Sequence, residues 1–131
     1  MSTRSEFEKY FEYSNQFASN DQNISNILKL YCAEIAHSIK NNNPNEFQSI
    51  ATKMIKCMNE YQEYKKTHQE DLKTYSESKC NMIFQSLLQG MDNFKNINPE
   101  LIQKFNQIKD LFKMCQHFLG NKPDIQEKSN N

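Results

Sequence analysis

Two glycines and three prolines are the only strong helix breakers among 131 residues, and the stretches they bound carry apolar residues at helical spacing. Pro44, Gly90, Pro99, Gly120 and Pro123 therefore punctuate a chain of helices joined by short turns. The fold class that follows is all-α, an antiparallel bundle of about five helices. The same scarcity removes the backbone of much chemistry. Phosphate-cradling loops and nucleophile elbows need glycine where φ is positive, and they have no counterpart here. A non-enzymatic protein without a cofactor is the expectation.

The length predicts a single helical domain over residues 1–120, followed by a disordered polar tail over 121–131. Lysine plus arginine total 16 and aspartate plus glutamate total 16, so the basic surplus of a nucleic-acid binder is missing and no nucleic-acid partner is expected. No apolar run approaches the ~20 residues that cross a bilayer, and MSTRSEFEKYFEYS has no signal-peptide core. A cytoplasmic chain without direct membrane insertion is expected. Cys32, Cys57, Cys80 and Cys115 form no C-x-x-C pair and read as reduced thiols packed among helices.

Ser5 with Glu8 reads as a capping box that opens a first helix from about Glu6 to Ala18, with Phe7, Tyr10, Phe11, Phe17 and Ala18 at helical intervals. Ser19-Asn20-Asp21 offers the cap of a second helix, whose stripe is Ile24, Ile27, Leu28, Tyr31, Ile35 and Ile39. Asn43, Pro44 and Glu46 start a third, with Phe47, Ile50, Ala51, Met54, Met58 and Tyr61 as its core face. Gln62 to Asp71 forks the reading, because it has no apolar side and no breaker. A break near Thr67, with a restart near Glu70, is favoured over one continuous stalk. A single long helix would carry Leu72, Ile83 and Leu87 far from the partners of Phe47 at a rise of about 1.5 Å per residue. The fourth helix runs to about Leu88 or Asn93 on Leu72, Cys80, Ile83, Leu87 and Met91, flanked by Phe84 and Leu88. The fifth starts on Asn98-Pro99-Glu100 and ends at Gly120, with Leu101, Phe105, Ile108, Phe112, Cys115 and Leu119 as its stripe.

Three constellations carry a chemical reading. Glu34 and His37 make an E-x-x-H, but a di-metal bundle needs a second such pair, and His37 falls away from the apolar stripe, so no metal site is expected. Cys115 and His117 stand two apart and point in different directions on a helix, which leaves packing as the role of Cys115. The last helix also carries a second apolar row, Leu111, Met114 and Phe118. Either it packs against two neighbours, or part of it forms a groove for an amphipathic partner segment, with Leu30, Phe84 and Leu88 as further walls.

DQNISNILKLYCAEIAHSI, residues 21–39, resembles the second helix of the amino-terminal domain of the Vta-type cofactor of the AAA ATPase that disassembles ESCRT-III. Callose synthases share that domain. Lys29-Leu30-Tyr31 stands at the centre of the match. FKNINPELIQKFNQIKDLFKMCQHFLG, residues 94–120, resembles the closing helix of the same domain, and Lys73-Thr74-Tyr75 leads into it as the penultimate helix does. The family's acidic-Arg-Ala-Gly stretch has no counterpart, and neither has its closing-helix tryptophan.

The resemblance implies an MIT-like (microtubule-interacting and transport) helical fold and an adaptor of the ESCRT and multivesicular body pathway, peripheral at endosomes. Its implied partners are the carboxy-terminal tails of ESCRT-III subunits, held in a helix groove, with the AAA ATPase complex reached only indirectly. The residues expected at that groove are Leu30, Phe84, Leu88, Leu111, Met114 and Phe118. The rival expectation is a self-associating structural helical protein, paired through its third and fourth helices as a coiled-coil hairpin.

Overall fold

A computed structural model describes residues 3–93 and 99–120, with only the backbone of 90–93. The expected Asn98 cap, the packing of Met91 and the polar tail from residue 121 lie outside the described residues. Those residues form six helices and no strand: α1 (Arg4–Phe17), α2 (Gln22–Asn42), α3 (Pro44–Gln48), α4 (Ala51–Thr67), α5 (Leu72–Asn93) and α6 (Pro99–Leu119). The all-α expectation holds, with one more helix than the pattern suggested. The chain divides into two compact units, Met1–Leu72 and Lys73–Asn131.

In the first unit α2 is the central helix. It runs antiparallel to α1, with the Ser25 hydroxyl donating to the Ser14 carbonyl at 2.7 Å, Tyr31 edge-on to Tyr10 at 4.7 Å, and Cys32 Sγ 3.9 Å from the Phe7 carbonyl oxygen. On its other side α4 runs antiparallel as well: Lys29 meets Glu60 at 3.0 Å, and the Tyr64 hydroxyl donates to the Asn23 side chain. Phe7, Tyr10, Ile24, Ile27, Leu28, Ile35 and Ile39 are all buried, as their spacing predicts. Ser14, Ser25 and Asn26 are buried with them, and each makes a hydrogen bond. A buried polar group left without a partner would cost about 1–3 kcal/mol.

Three local details correct the sequence reading. The cap of α1 is Thr3, whose Oγ1 accepts the Glu6 N–H at 3.1 Å, so the T-x-x-E pattern starting at Thr3 prevails over the one starting at Ser5. The helix begun at Pro44 does not continue. The Ser49 N–H turns back to the Glu46 carbonyl and that of Ile50 to the Phe47 carbonyl, tightening the chain into i→i+3 bonds before α4 starts at Ala51. Phe47 thus leaves the face that it was expected to share with Ile50. The buried side of α4 swings to Cys57, and Met58 is left 37% exposed.

The break after Thr67 occurs as favoured, although no glycine makes it. His68 adopts extended dihedrals, its ring stacks on Tyr64 at 3.9 Å, and its Nδ1 lies 3.0 Å from the Tyr64 carbonyl oxygen. The Thr67 hydroxyl donates to the same Tyr64 carbonyl at 3.3 Å, so side chains occupy a terminus that glycine would otherwise cap, and Lys65 Nζ donates to the Glu70 carbonyl at 2.7 Å in the link to α5.

In the second unit α5 and α6 run antiparallel. Lys73 Nζ lies 5.1 Å from the Phe118 ring centroid, Ser76 Oγ 3.5 Å from Cys115 Sγ, and the Phe84 ring 5.9 Å from that of Phe112. Pro99 opens α6 as expected, and Gly120 closes it at φ +85°, its N–H donating to the Gln116 carbonyl at 2.8 Å. Ser76 is a core position that the apolar pattern missed. It is buried because its hydroxyl bonds back to the Lys73 carbonyl at 2.8 Å.

Candidate binding surface

Lys29, Leu30 and Tyr31 sit on successive positions of α2, about 100° apart around its axis. Lys29 turns to α4 and Tyr31 to α1, so both flanking residues of the trio hold the first unit together. Leu30 is half-buried on the same helix. Two further apolar side chains of this unit reach the surface on α4, Ile55 at 57% and Met58 at 37% exposure.

Of the six expected groove residues the second unit carries five. Phe84 is half-buried and meets two α6 rings edge-on, Phe105 at 6.3 Å and Phe112 at 5.9 Å. Leu88, one turn further along α5, is 37% exposed. Phe118 is half-buried, with Lys73 Nζ over its ring and the His117 ring edge-on at 5.2 Å. Leu111 and Met114, by contrast, are 1% and 0% exposed, so the second apolar row of α6 is itself interior along most of its length. Met82 at 64% and Ile102 at 50% are the larger exposed apolar residues of this unit. They stand off the apolar stripes, and only that displacement could have marked them in the sequence.

The chemistry-bearing residues are placed differently. Glu34 and His37 are exposed on α2, and among the described residues no cluster of three His, Cys, Asp or Glu side chains is disposed to hold a metal ion. Cys115 is buried against α5, where Cys80 and the Ser76 hydroxyl hydrogen-bond its sulfur and pull its pKa down, with burial opposing them. His117 lies exposed on α6 beside Phe118. Burial raises the pKa of Tyr64, helped by the nearby Glu70 and Asp21 carboxylates. Burial likewise raises that of Tyr61, with Asp71 and Glu34 adding to it. No helix among the described residues is long and apolar enough to cross a membrane.

A family model described as Vta1 like matches residues 6–130 of the chain. No curated protein and no solved structure matches it.

Proposed function

From the premise that this chain belongs to the Vta1-like family, a family of the ESCRT and vacuolar sorting pathway, we propose that it is a non-enzymatic adaptor for carboxy-terminal tails of ESCRT-III subunits. The family match across residues 6–130 is the observation that carries this reading. The tail binds as an amphipathic helix, its apolar side chains resting on Phe84, Leu88 and Phe118 of the second unit, while Leu111 and Met114 support that surface from beneath. Leu30 offers a separate apolar contact on the first unit. The protein works peripherally at endosomes and meets the AAA ATPase through the assemblies it binds. A few apolar anchors with rim charges give weak, reversible association.

Isothermal titration calorimetry of the full chain with ESCRT-III tail peptides from the same organism tests this. Saturable binding that Leu88→Asp weakens about tenfold, equivalent to ~1.4 kcal/mol, supports it. Leu88 is 37% exposed, so the variant keeps its fold, which circular dichroism checks. No heat with any tail at high concentration refutes the reading.

Self-association remains the second reading, because Ile55 on α4 and Met82 on α5 are 57% and 64% exposed on the two helices that such a contact would use. Multi-angle light scattering that finds a concentration-independent monomer removes it.

A further inference from the structure

All four cysteines are buried thiols, and they fall into two facing pairs, one in each unit. In the first unit the register of α2 against α4 is fixed on one side of the pair by Lys29 with Glu60 and, further along, by Tyr64 with Asn23. Cys32 and Cys57 lie next along the same antiparallel alignment. They are 0% and 1% exposed, and each stands three residues from the Lys29–Glu60 pair, which places them opposite one another across the two helices. In the second unit Ser76 Oγ lies 3.5 Å from Cys115 Sγ, and Cys80, one turn along α5 on the same face as Ser76, is set toward the same sulfur. Both members are 0% exposed.

We propose that each unit carries a latent disulfide, Cys32–Cys57 across α2 and α4 and Cys80–Cys115 across α5 and α6, which hydrogen peroxide closes. The direction of reaction follows from the environment of each sulfur. Cys57 is the member whose thiolate is favoured: the neighbouring Cys32 lowers its pKa, and Lys29 and Lys56 assist, against the opposing effects of burial and Glu60. Cys115 holds the equivalent place, with Cys80 and Ser76 as donors. The thiolate sulfur attacks one peroxide oxygen, the O–O bond breaks, and the departing hydroxide takes a proton to leave as water. The resulting sulfenic acid is attacked by the facing thiol; the S–S bond forms, the S–O bond breaks, and the sulfenic oxygen leaves with the thiol proton as a second water. Each pair loses two electrons and two protons, and one peroxide becomes two waters. Burial makes the step slow and gated by local opening of the helices. Once closed, each bond ties two helices that are distant in sequence and narrows the unfolded ensemble.

The test uses the intact chain. Reduced protein is exposed to a small excess of hydrogen peroxide, alkylated, digested without reductant and mapped by mass spectrometry. The expected products are peptides joined through Cys32–Cys57 and Cys80–Cys115, from a monomer whose thermal midpoint exceeds that of the reduced protein. Alkylated or sulfinic cysteines in place of either bond overturn the proposal for that unit. Bonds between two chains, or pairings such as Cys57 with Cys80, overturn it altogether. The map is made on the native sequence, so its outcome does not depend on whether a variant folds. Cys32→Ala adds a second readout, the loss of the shift in midpoint contributed by the first unit.

Discussion

Lys29 Nζ on α2 lies 3.0 Å from Glu60 Oε2 on α4, and the lysine side chain is only 15% exposed. Its aliphatic stem lies against the helices while its charge meets the one carboxylate that α4 brings within reach. The basic residue of the Lys29-Leu30-Tyr31 trio is therefore a fastener between helices. A double-mutant cycle with Lys29→Met and Glu60→Gln should give a coupling of about 1 kcal/mol by urea denaturation, smaller at high salt because Glu60 remains partly in water.

Phe112 is 0% exposed and packs edge-on to Phe84, so Phe112→Ala removes a ring that its surroundings cannot replace. The expected loss is about 3–5 kcal/mol in the transition of the second unit. Leu88→Ala, at a 37% exposed position of the same unit, should change stability by less than about 1 kcal/mol. Equal effects of the two substitutions would contradict the burial of Phe112 against Phe84.

The two ends of helices fixed by single residues make a paired test. Asp21 accepts the Ile24 N–H at 3.1 Å, and Asp21→Ala should cost about 1 kcal/mol. Gly120 has φ +85° with nothing within 4 Å of an added Cβ, so Gly120→Ala should also cost about 1 kcal/mol through the backbone alone. Chemical denaturation of each variant measures both. A neutral outcome at Gly120 would mean that α6 ends without the left-handed cap.

Tyr64 titrates above its ordinary value of 10.0, chiefly because it is partly buried, and its hydroxyl proton is the one donated to Asn23. The neutral form is thus favoured by folding. The contribution is fully present below the unfolded value and disappears as pH rises through the raised one. Stability should therefore fall in alkaline solution above about pH 10, and Tyr64→Phe should flatten that fall. Thermal melts across that range, with tyrosinate absorbance as the companion signal, check the prediction.

Helix starts were legible because their chemistry is local. Asp21, Asn43 with Pro44, and Pro99 each satisfy or spare the first N–H groups of a helix within a few residues, and Ile24, Ile27, Leu28, Ile35 and Ile39 of the α2 stripe are buried as its period requires. The break at Thr67 was legible only as the absence of an apolar side, since the His68 and Lys65 contacts that secure it follow no common capping pattern. For the second apolar row of α6 the residues left two roles open, packing against two neighbours or lining a groove; Leu111 and Met114 are interior, and a helical wheel shows which side chains share a face and not what covers that face.

Capping and periodicity act within one or two turns, so the all-helical class, the starts of most helices, the end of α6 at Gly120 and the burial of the isoleucines and Leu28 along α2 are written in the residues themselves. The packing of helix on helix set the rest: α3 and α4 part at Ser49 and Ile50, Cys57 and not Met58 is buried, and the register of α2 against α4 carries Cys32 toward Cys57. Those outcomes depend on the rotation and register of one helix against another. They are set by the summed packing of side chains far apart in the chain, which no local pattern encodes.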